Sequence, residues 1–145
     1  MDVLKRSATD AAGLLRRGEI SSRELTELLL ARIETGNPAL NAVVEVRRET
    51  ALRDAVTADE MLASGQDTRP LHGVPMTIKD CFNVAGLRTT WGNPAFKDYV
   101  ADADATVVRR LREAGAIIVG KTNVPFMLGD FGQTANELYG ITSNP

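Results

Sequence analysis

The stretch Leu71–Asp80, L-H-G-V-P-M-T-I-K-D, decides how the chain folds. Apolar side chains recur at every second residue, at Val74, Met76 and Ile78, which is the period of a strand whose successive side chains point to opposite faces. The same period places Lys79 at the end of the strand, on the face opposite to the apolar set. Loops at strand ends often carry functional sites. We therefore predict a strand here, with a candidate site at Lys79.

The pattern leaves two interpretations of Lys79 open. Most lysines on strands are solvated or protect a sheet edge. A lysine held in a dry, apolar sheet instead loses the solvation of its ammonium, so that its neutral amine can take a proton at neutral pH. In that second interpretation, Lys79 is a general base for a serine.

The composition limits the class of protein. With 145 residues, 43% of them apolar and 25% charged, the chain is long enough for one domain with a real core. A formal net charge of -2 provides no strong attraction to nucleic acid or to an anionic membrane. We therefore expect neither a nucleic-acid partner nor a membrane partner.

The rarest residues exclude further classes of site. Cys81 is the only cysteine and His72 the only histidine, so the chain has no internal disulfide and no Cys/His set for zinc. A Cys81 thiolate activated by His72 is disfavoured, because a strand separates the two and nothing orients either. No run approaches about 18 apolar residues and no signal peptide opens the sequence, which predicts a cytoplasmic location.

Capping and periodicity predict the other elements. Ser7 with Asp10, and Ser21 with Glu24, form capping-box patterns at the starts of two helices. The first helix is expected to end at residue 18 and the second near residues 36–38. A strand at 40–46, a helix at 47–64 and a polar connector at 66–70 are predicted next. After the strand that ends at Lys79, the sequence predicts an irregular segment at 81–101, whose aromatic residues predict packing, a helix through 107–113, a buried strand at 116–119, and a short helix or a loop at 124–132. A strand, a helical crossover and a buried strand predict a parallel α/β unit.

Four stretches, in this order and spacing, resemble the front part of the amidase signature family. They are L-H-G-V-P-M-T-I-K-D (71–80), G-L-R-T-T-W-G (86–92), D-A-T-V-V-R-R-L-R-E-A-G-A-I-I-V-G-K-T-N (104–123) and N-E-L-Y-G-I-T-S-N-P (136–145). The resemblance covers essentially the whole chain. It implies an α/β fold with α/β/α layers around a mixed sheet, of which residues 1–145 are an incomplete N-terminal portion of one amidase domain. Residues 1–65 are then a helical N-terminal region with one strand, and residues 66–145 the start of the catalytic core.

The resemblance also implies an activity and a site. The family hydrolyses carboxamide C–N bonds to carboxylate and ammonia or amine by a Ser–cis-Ser–Lys mechanism, with no metal or cofactor, so a small-molecule amide is the expected substrate of the full-length enzyme. Lys79 matches the catalytic lysine. Met127, Leu128 and Gly129 match a segment that runs along the acyl-binding pocket. Lys121, which follows a buried strand, is expected to be structural, with a loop or helix-dipole contact.

The chain departs from the family pattern in ways that limit this transfer. Asn93 follows Gly92 where many members have serine, and Ser143 stands where many have arginine, so substrate contacts cannot be copied across. The sequence also contains no glycine- and serine-rich run that would supply the nucleophile and oxyanion hole. We therefore expect a truncated chain that is inactive alone and forms homo-oligomers or aggregates through exposed strand edges.

Two other functions stay open at this point. One is the glutamine-hydrolysing subunit of a tRNA-dependent amidotransferase, in which a partner subunit binds the RNA; the V-P-F-M-L-G segment at 124–129 looks less like that branch. The other is a non-catalytic, truncated α/β module.

Overall fold

The structure, a computed structural model, describes residues 3–65, 69–130 and 132–145. Within these ranges lie the helices α1 (Ala8–Arg16), α2 (Ser22–Leu40), α3 (Arg48–Ala63) and α4 (Thr106–Glu113), and the strands β1 (Val43–Val46), β2 (Pro75–Lys79), β3 (Ile117–Thr122), β4 (Ala135–Asn136) and β5 (Gly140–Ile141). Short 3-10 helices lie at Val3–Lys5, Pro94–Phe96 and Phe126–Leu128. None of the helices in the described part of the chain has the length and hydropathy needed to cross a membrane. Three residues of the predicted connector, 66–68, fall outside the described residues.

The strand β3 is central in a three-stranded sheet, with β1 and β2 as its neighbours. It runs antiparallel to β1. Toward β2, Val74 O accepts from Ile117 N at 2.9 Å, and Asp80 N donates to Thr122 O at 3.0 Å, so residue numbers rise in the same direction along both strands. This order is that of a parallel pair. The predicted parallel α/β unit is confirmed, and the fold is a mixed α/β fold with a mixed sheet.

The predicted capping box of Ser21 with Glu24 is confirmed, and Ser7 caps the first helix through one of the two hydrogen bonds of a capping box. The Ser7 hydroxyl accepts from Asp10 N at 3.1 Å at the start of α1. At the start of α2, the Ser21 hydroxyl accepts from Glu24 N at 3.0 Å, and Glu24 Oε2 accepts from Ser21 N at 2.8 Å. The hydrogen bond from the Ser21 backbone holds the pKa of the Glu24 carboxyl below its ordinary value. Local sequence therefore sets where these two helices begin.

The predicted end of α2 at residues 36–38 is wrong, because the helix continues to Leu40. The proline in its last turn costs only one backbone hydrogen bond, which a helix end tolerates better than a helix interior. Asn41 then adopts a left-handed φ of 53°, a conformation that asparagine tolerates well. The Asn37 side chain stabilises the exit, since its Oδ1 accepts from Val43 N at 2.7 Å.

The chain forms two compact units, the first made of the segments up to Ile33, Arg47–Met76 and Arg110–Val119. This unit contains two apolar clusters: Ala11, Ala12, Leu15, Leu25 and Val74 in one, and Ala51, Ala55, Ala58, Ile117 and Val119 in the other. His72 is buried here, and its Nε2 lies 2.8 Å from Ala58 O. The only histidine is therefore engaged by the backbone.

The second unit is made of the segments Glu34–Val46, Thr77–Arg109 and Gly120–Pro145. It contains Lys79 and all the residues considered below as a candidate site. The division of the domain at residue 65, expected from the sequence, stays a prediction.

The segment 81–101 is irregular, as predicted, but its aromatic rings are not packed in the core. Phe82, Trp91, Phe96 and Tyr99 are 43%, 37%, 42% and 47% exposed. Backbone contacts hold the segment instead, among them a bridge between Arg88 and Val100. The expectation that the aromatic residues hold this segment by burial is therefore wrong.

The close approach of β1 and β3 at Gly120 gives a test of this packing. A Cβ atom at Gly120 would lie 2.1 Å from the carbonyl oxygen of Glu45, which belongs to the paired strand. We expect Gly120→Ala to lower the free energy of unfolding by about 2–3 kcal/mol, because the two backbones would have to separate. Urea unfolding followed by circular dichroism measures the change.

Gly36→Ala is the matched control. Gly36 lies in α2 with open space around the position of a Cβ, and alanine is a better helix former. We expect this variant to gain about 0.5–1 kcal/mol. Equal unfolding midpoints for the two glycine variants would contradict the close β1–β3 packing.

Candidate active site

Lys79 is the last residue of β2, and the strand alternates there as predicted. Ile78 before it and Asp80 after it are 6% and 1% exposed, whereas the Lys79 side chain is exposed. Phe82 N donates to Lys79 O at 3.1 Å, so the chain turns directly after the strand. The sheet therefore presents this amine at a strand end but does not keep it dry.

A cavity of about 340 Å³ opens beside Lys79. Its other lining residues are Asn123, Pro125, Leu128, Asp130, Gly132, Gln133 and Thr134. This volume lies at the lower end of the range for small-molecule sites, about 300–1,000 Å³. Of the predicted acyl-pocket residues, Leu128 shares the cavity with Lys79, whereas Met127 and Gly129 are not among the lining residues. The role of all three in substrate binding stays a prediction.

The wall of the cavity at Leu128 has an unusual backbone. Met127 and Leu128 adopt φ values of 47° and 62°, the left-handed region that costs a non-glycine residue about 1–3 kcal/mol. Local hydrogen bonds hold this conformation: Met127 N donates to Trp91 O at 2.7 Å and Leu128 N to Pro125 O at 3.0 Å. Asn93 Nδ2 also lies 3.4 Å from Met127 Sδ. The wall is thus strained and firmly held, as is common at binding sites.

Asp130 adds a carboxylate to the cavity that contains the Lys79 ammonium. Its Oδ1 accepts from Gly132 N at 2.8 Å and from Gln133 N at 3.3 Å, which fixes the side chain on its own loop. The Lys79 ammonium and the Asp130 carboxylate thus give the cavity a donor and an acceptor. The Asn123 amide is already used within the chain, since its Nδ2 donates to Gly140 O and Thr142 Oγ1. Asp130 and Gln133 were not predicted as site residues. The available signal was weak: Asp130, Gln133 and Thr134 follow the predicted pocket segment but are interrupted by an apolar residue and a glycine.

Behind the strand end lies a buried ion pair between Asp80 and Lys121. Lys121 Nζ is 2.9 Å from Asp80 Oδ1. The Lys121 side chain is 0% exposed and the Asp80 side chain 1% exposed. The same ammonium donates to Arg88 O at 2.9 Å and to Thr89 Oγ1 at 3.0 Å. Asp80 Oδ2 accepts from the Thr90 hydroxyl at 2.5 Å and from Thr90 N at 3.2 Å. This cluster joins two strands to the loop at 88–90.

The predicted structural role of Lys121 agrees with its loop contact, although the residue lies within β3 and not after it. Its partner Asp80 was missed. The sequence signal was the alternation itself, since Asp80 falls on the same face as the buried Ile78. A buried acidic residue almost always has a cationic partner.

Two other titratable groups of this unit are shifted by burial. Burial raises the pKa of the Cys81 thiol, and the nearby Lys79 ammonium offsets only part of this effect. Burial also raises the pKa of the Tyr139 hydroxyl, although its hydrogen bond with Thr90 acts in the opposite direction. A Cys81 thiolate is therefore disfavoured, in agreement with the sequence analysis.

Comparison with known proteins identifies the family. The amidase family profile matches residues 24–145. An acylamidase of Rhodococcus erythropolis is 43% identical over 139 residues, which are 96% of this chain and 29% of that protein. An indoleacetamide hydrolase of Bradyrhizobium diazoefficiens is 46% identical, over 96% of this chain and 26% of its own length. A glutamyl-tRNA(Gln) amidotransferase subunit of a Synechococcus species is 44% identical, over 90% of this chain and 27% of its own length.

Solved structures agree with these relatives. A bacterial aryl acylamidase of the amidase signature family superposes with a TM-score of 0.87 at 31% identity, over 96% of this chain and 29% of that one. The chain therefore belongs to the amidase signature family, as its four sequence stretches indicated. It spans less than a third of the length of each of these relatives.

Alkylation of the Cys81 thiol, next to Lys79 and Asp80 in the chain, tests whether burial raises its pKa. Because its pKa is raised in the folded chain, a smaller fraction is thiolate at neutral pH than in the unfolded chain. We expect iodoacetamide to alkylate Cys81 more slowly in the folded chain than in urea, with the difference shrinking as the pH rises past the folded pKa. Mass spectrometry of the only cysteine-containing peptide measures both rates. Faster alkylation of the folded chain at neutral pH would refute the assignment.

Proposed function

We propose that this chain carries the lysine of an amidase-type hydrolase, which cleaves carboxamide C–N bonds to a carboxylate and ammonia or an amine. The observation that carries the proposal is the position of Lys79, at a strand end and on a cavity of about 340 Å³ that it shares with Leu128. Membership of the amidase family supports it. Two of the relatives are named as an acylamidase and an indoleacetamide hydrolase.

In the proposed mechanism, Lys79 is the base of a Ser–cis-Ser–Lys triad. Its neutral amine takes the proton of a bridging serine, which takes the proton of a second serine as that oxygen attacks the carbonyl carbon. The C–N bond then breaks as the leaving nitrogen takes the proton back from Lys79 through the bridging serine. Water next attacks the acyl-serine and gives its proton to Lys79 through the same serine. The ester bond breaks, the carboxylate leaves, and the proton returns to the serine oxygen. The two serines are not assigned to any of the 145 residues. The bridging hydroxyl has to come within about 2.6–3.2 Å of the amine, in the cavity beside it.

The walls of the cavity suggest how the amide binds. We propose that its acyl group lies against Leu128, which presents the apolar part of the cavity together with Pro125. Met127 contributes through its backbone, whose N–H bond to Trp91 fixes the wall. Gly129 continues the turn, since its N–H donates to Phe126 O at 2.9 Å. Only Leu128 of the predicted segment then touches substrate through its side chain.

A hybrid enzyme tests the role of Lys79. In it, this chain replaces the matching 139 residues of the Rhodococcus erythropolis acylamidase. We expect the hybrid to hydrolyse simple aliphatic or aryl amides, and the isolated 145-residue chain to show no turnover. Lys79→Met in the hybrid should lower kcat by about 10²–10⁴-fold or more, the contribution of a positioned general base. Release of ammonia or arylamine measures the rate.

Lys97→Met is the matched control in the same hybrid. Lys97 is exposed and is not among the residues that line the cavity, so its loss should leave kcat and KM unchanged. Full activity of the Lys79→Met hybrid, or amide turnover by the isolated chain, would contradict the proposed function.

A second candidate is the glutamine-hydrolysing subunit of a tRNA-dependent amidotransferase. The 44% identity to a glutamyl-tRNA(Gln) amidotransferase subunit favours it. The V-P-F-M-L-G segment at 124–129 has the phenylalanine but lacks the acidic residue expected in that branch. The substrate preference of the full-length protein separates the two, because this candidate requires release of ammonia from glutamine in preference to other amides. Copurification with a partner subunit would also favour it.

A further inference from the structure

Lys121 is fully buried, and all the partners of its ammonium belong to the chain. Lys121 Nζ donates to Arg88 O and Thr89 Oγ1 at 2.9 and 3.0 Å, and it forms an ion pair with Asp80 Oδ1 at 2.9 Å. Lys121 is not among the residues that line the cavity. Any effect of Lys121 on the site must therefore pass through its partners.

Asp80 links this ammonium to the strand end that presents Lys79. Its backbone N–H donates to Thr122 O at 3.0 Å, and its backbone carbonyl accepts from Trp91 N at 3.1 Å. Its carboxylate accepts from both the backbone and the hydroxyl of Thr90. The residue that follows Lys79 is thus held from the neighbouring strand and from the loop at 88–92.

The same loop also contacts the segment that contains Leu128, another residue of the cavity lining. The Trp91 carbonyl accepts from Met127 N at 2.7 Å, the shortest backbone contact of the wall segment. Met127 directly precedes Leu128, which lines the cavity and has a left-handed backbone. A continuous series of contacts therefore runs from Lys121 through Asp80 and Trp91 to the cavity wall.

We propose that Lys121 is a positioning residue of the active site, which acts through Asp80 and the loop at 88–92 to fix both the strand end bearing Lys79 and the wall at Leu128. The inference rests on the proposed role of Lys79. It goes beyond a stabilising ion pair, because the ammonium also holds the Arg88 carbonyl and the Thr89 hydroxyl, and these contacts order the loop whatever the charge of Asp80.

Three variants separate positioning from simple stabilisation. Lys121→Met leaves the Asp80 carboxylate buried without its cation, so it should lower the melting temperature strongly. Asp80→Asn combined with Lys121→Met removes both charges, and it should recover much of that loss. Thr89→Val removes one acceptor of the ammonium, keeps the shape of the side chain and leaves both charges in place. Lys97→Met, at an exposed lysine, is the matched control.

The readouts are local and need no turnover. Trp91 is the only tryptophan, so its emission and its quenching by acrylamide report on the loop. Amide hydrogen exchange at Trp91 and Met127 reports on the two hydrogen bonds in the series, and Asn123, whose N–H donates to Ala42 O at 2.8 Å, serves as the internal reference. Amides exchange through local opening as well as through global unfolding. Faster exchange at Trp91 and Met127, with unchanged exchange at Asn123, therefore shows that the loop at 88–92 has loosened locally.

We expect the double variant to fold, with stronger quenching of Trp91 and several-fold faster exchange at Trp91 and Met127 but not at Asn123. Thr89→Val should show the same pattern to a smaller extent, and Lys97→Met none of it. Wild-type quenching and exchange in a double variant that has recovered its melting temperature would overturn the proposal, as would an unchanged loop in Thr89→Val. Failure of the hybrid enzyme to hydrolyse amides would refute the proposed function without altering these readouts.

Discussion

The ion pair between Asp80 and Lys121 is the interaction on which the arrangement of the candidate site depends. Removing two charges from water costs several kcal/mol for each ion, which their attraction offsets only when the remaining hydrogen-bonding groups are also satisfied. Here the ammonium donates to Arg88 O and Thr89 Oγ1 in addition to its ion pair, and Asp80 Oδ2 accepts from the Thr90 hydroxyl. A partial arrangement would leave a charge buried and unpaired. The pair therefore favours one position of the strand end and of the loop at 88–92.

The exposed end of β2 and the buried course of β3 give the two lysines of this region opposite surroundings. Lys79 and Asp80 are neighbours in sequence, yet one side chain is exposed on the cavity and the other is buried. Lys121 lies on the buried side and neutralises Asp80, so this carboxylate does not have to pair with Lys79. A lysine that serves as a base must be able to lose its proton, and a carboxylate committed to it would hold that proton in place. The separation of the two cations thus suits the proposed role of Lys79.

Much of the fold could be predicted from local sequence, whereas the site could be predicted only in part. The two serine caps and the strand before Lys79 follow from short-range patterns that tertiary contacts did not override. The end of α2 could not be predicted from the pattern. The proline near the helix end predicts an earlier stop, whereas the Asn37 side chain stabilises the exit after Leu40 by hydrogen bonds. The partner of Lys121 could not be predicted either. It lies 41 residues away (121 minus 80), and the pairing depends on how β2 and β3 are aligned.

The exposure of the Lys79 side chain bears on its proposed role as a base. The strand leaves this side chain exposed, and an exposed ammonium keeps its hydration. Loss of that hydration has to come from whatever occupies the cavity of about 340 Å³, since the sheet itself does not provide it. Backbone hydrogen bonds within the chain hold the wall at Met127 and Leu128 in a strained conformation, which is the form of a preorganised site. In the proposed mechanism the chain supplies the base and a fixed wall, and the chemistry requires a hydroxyl and an amide together in the cavity.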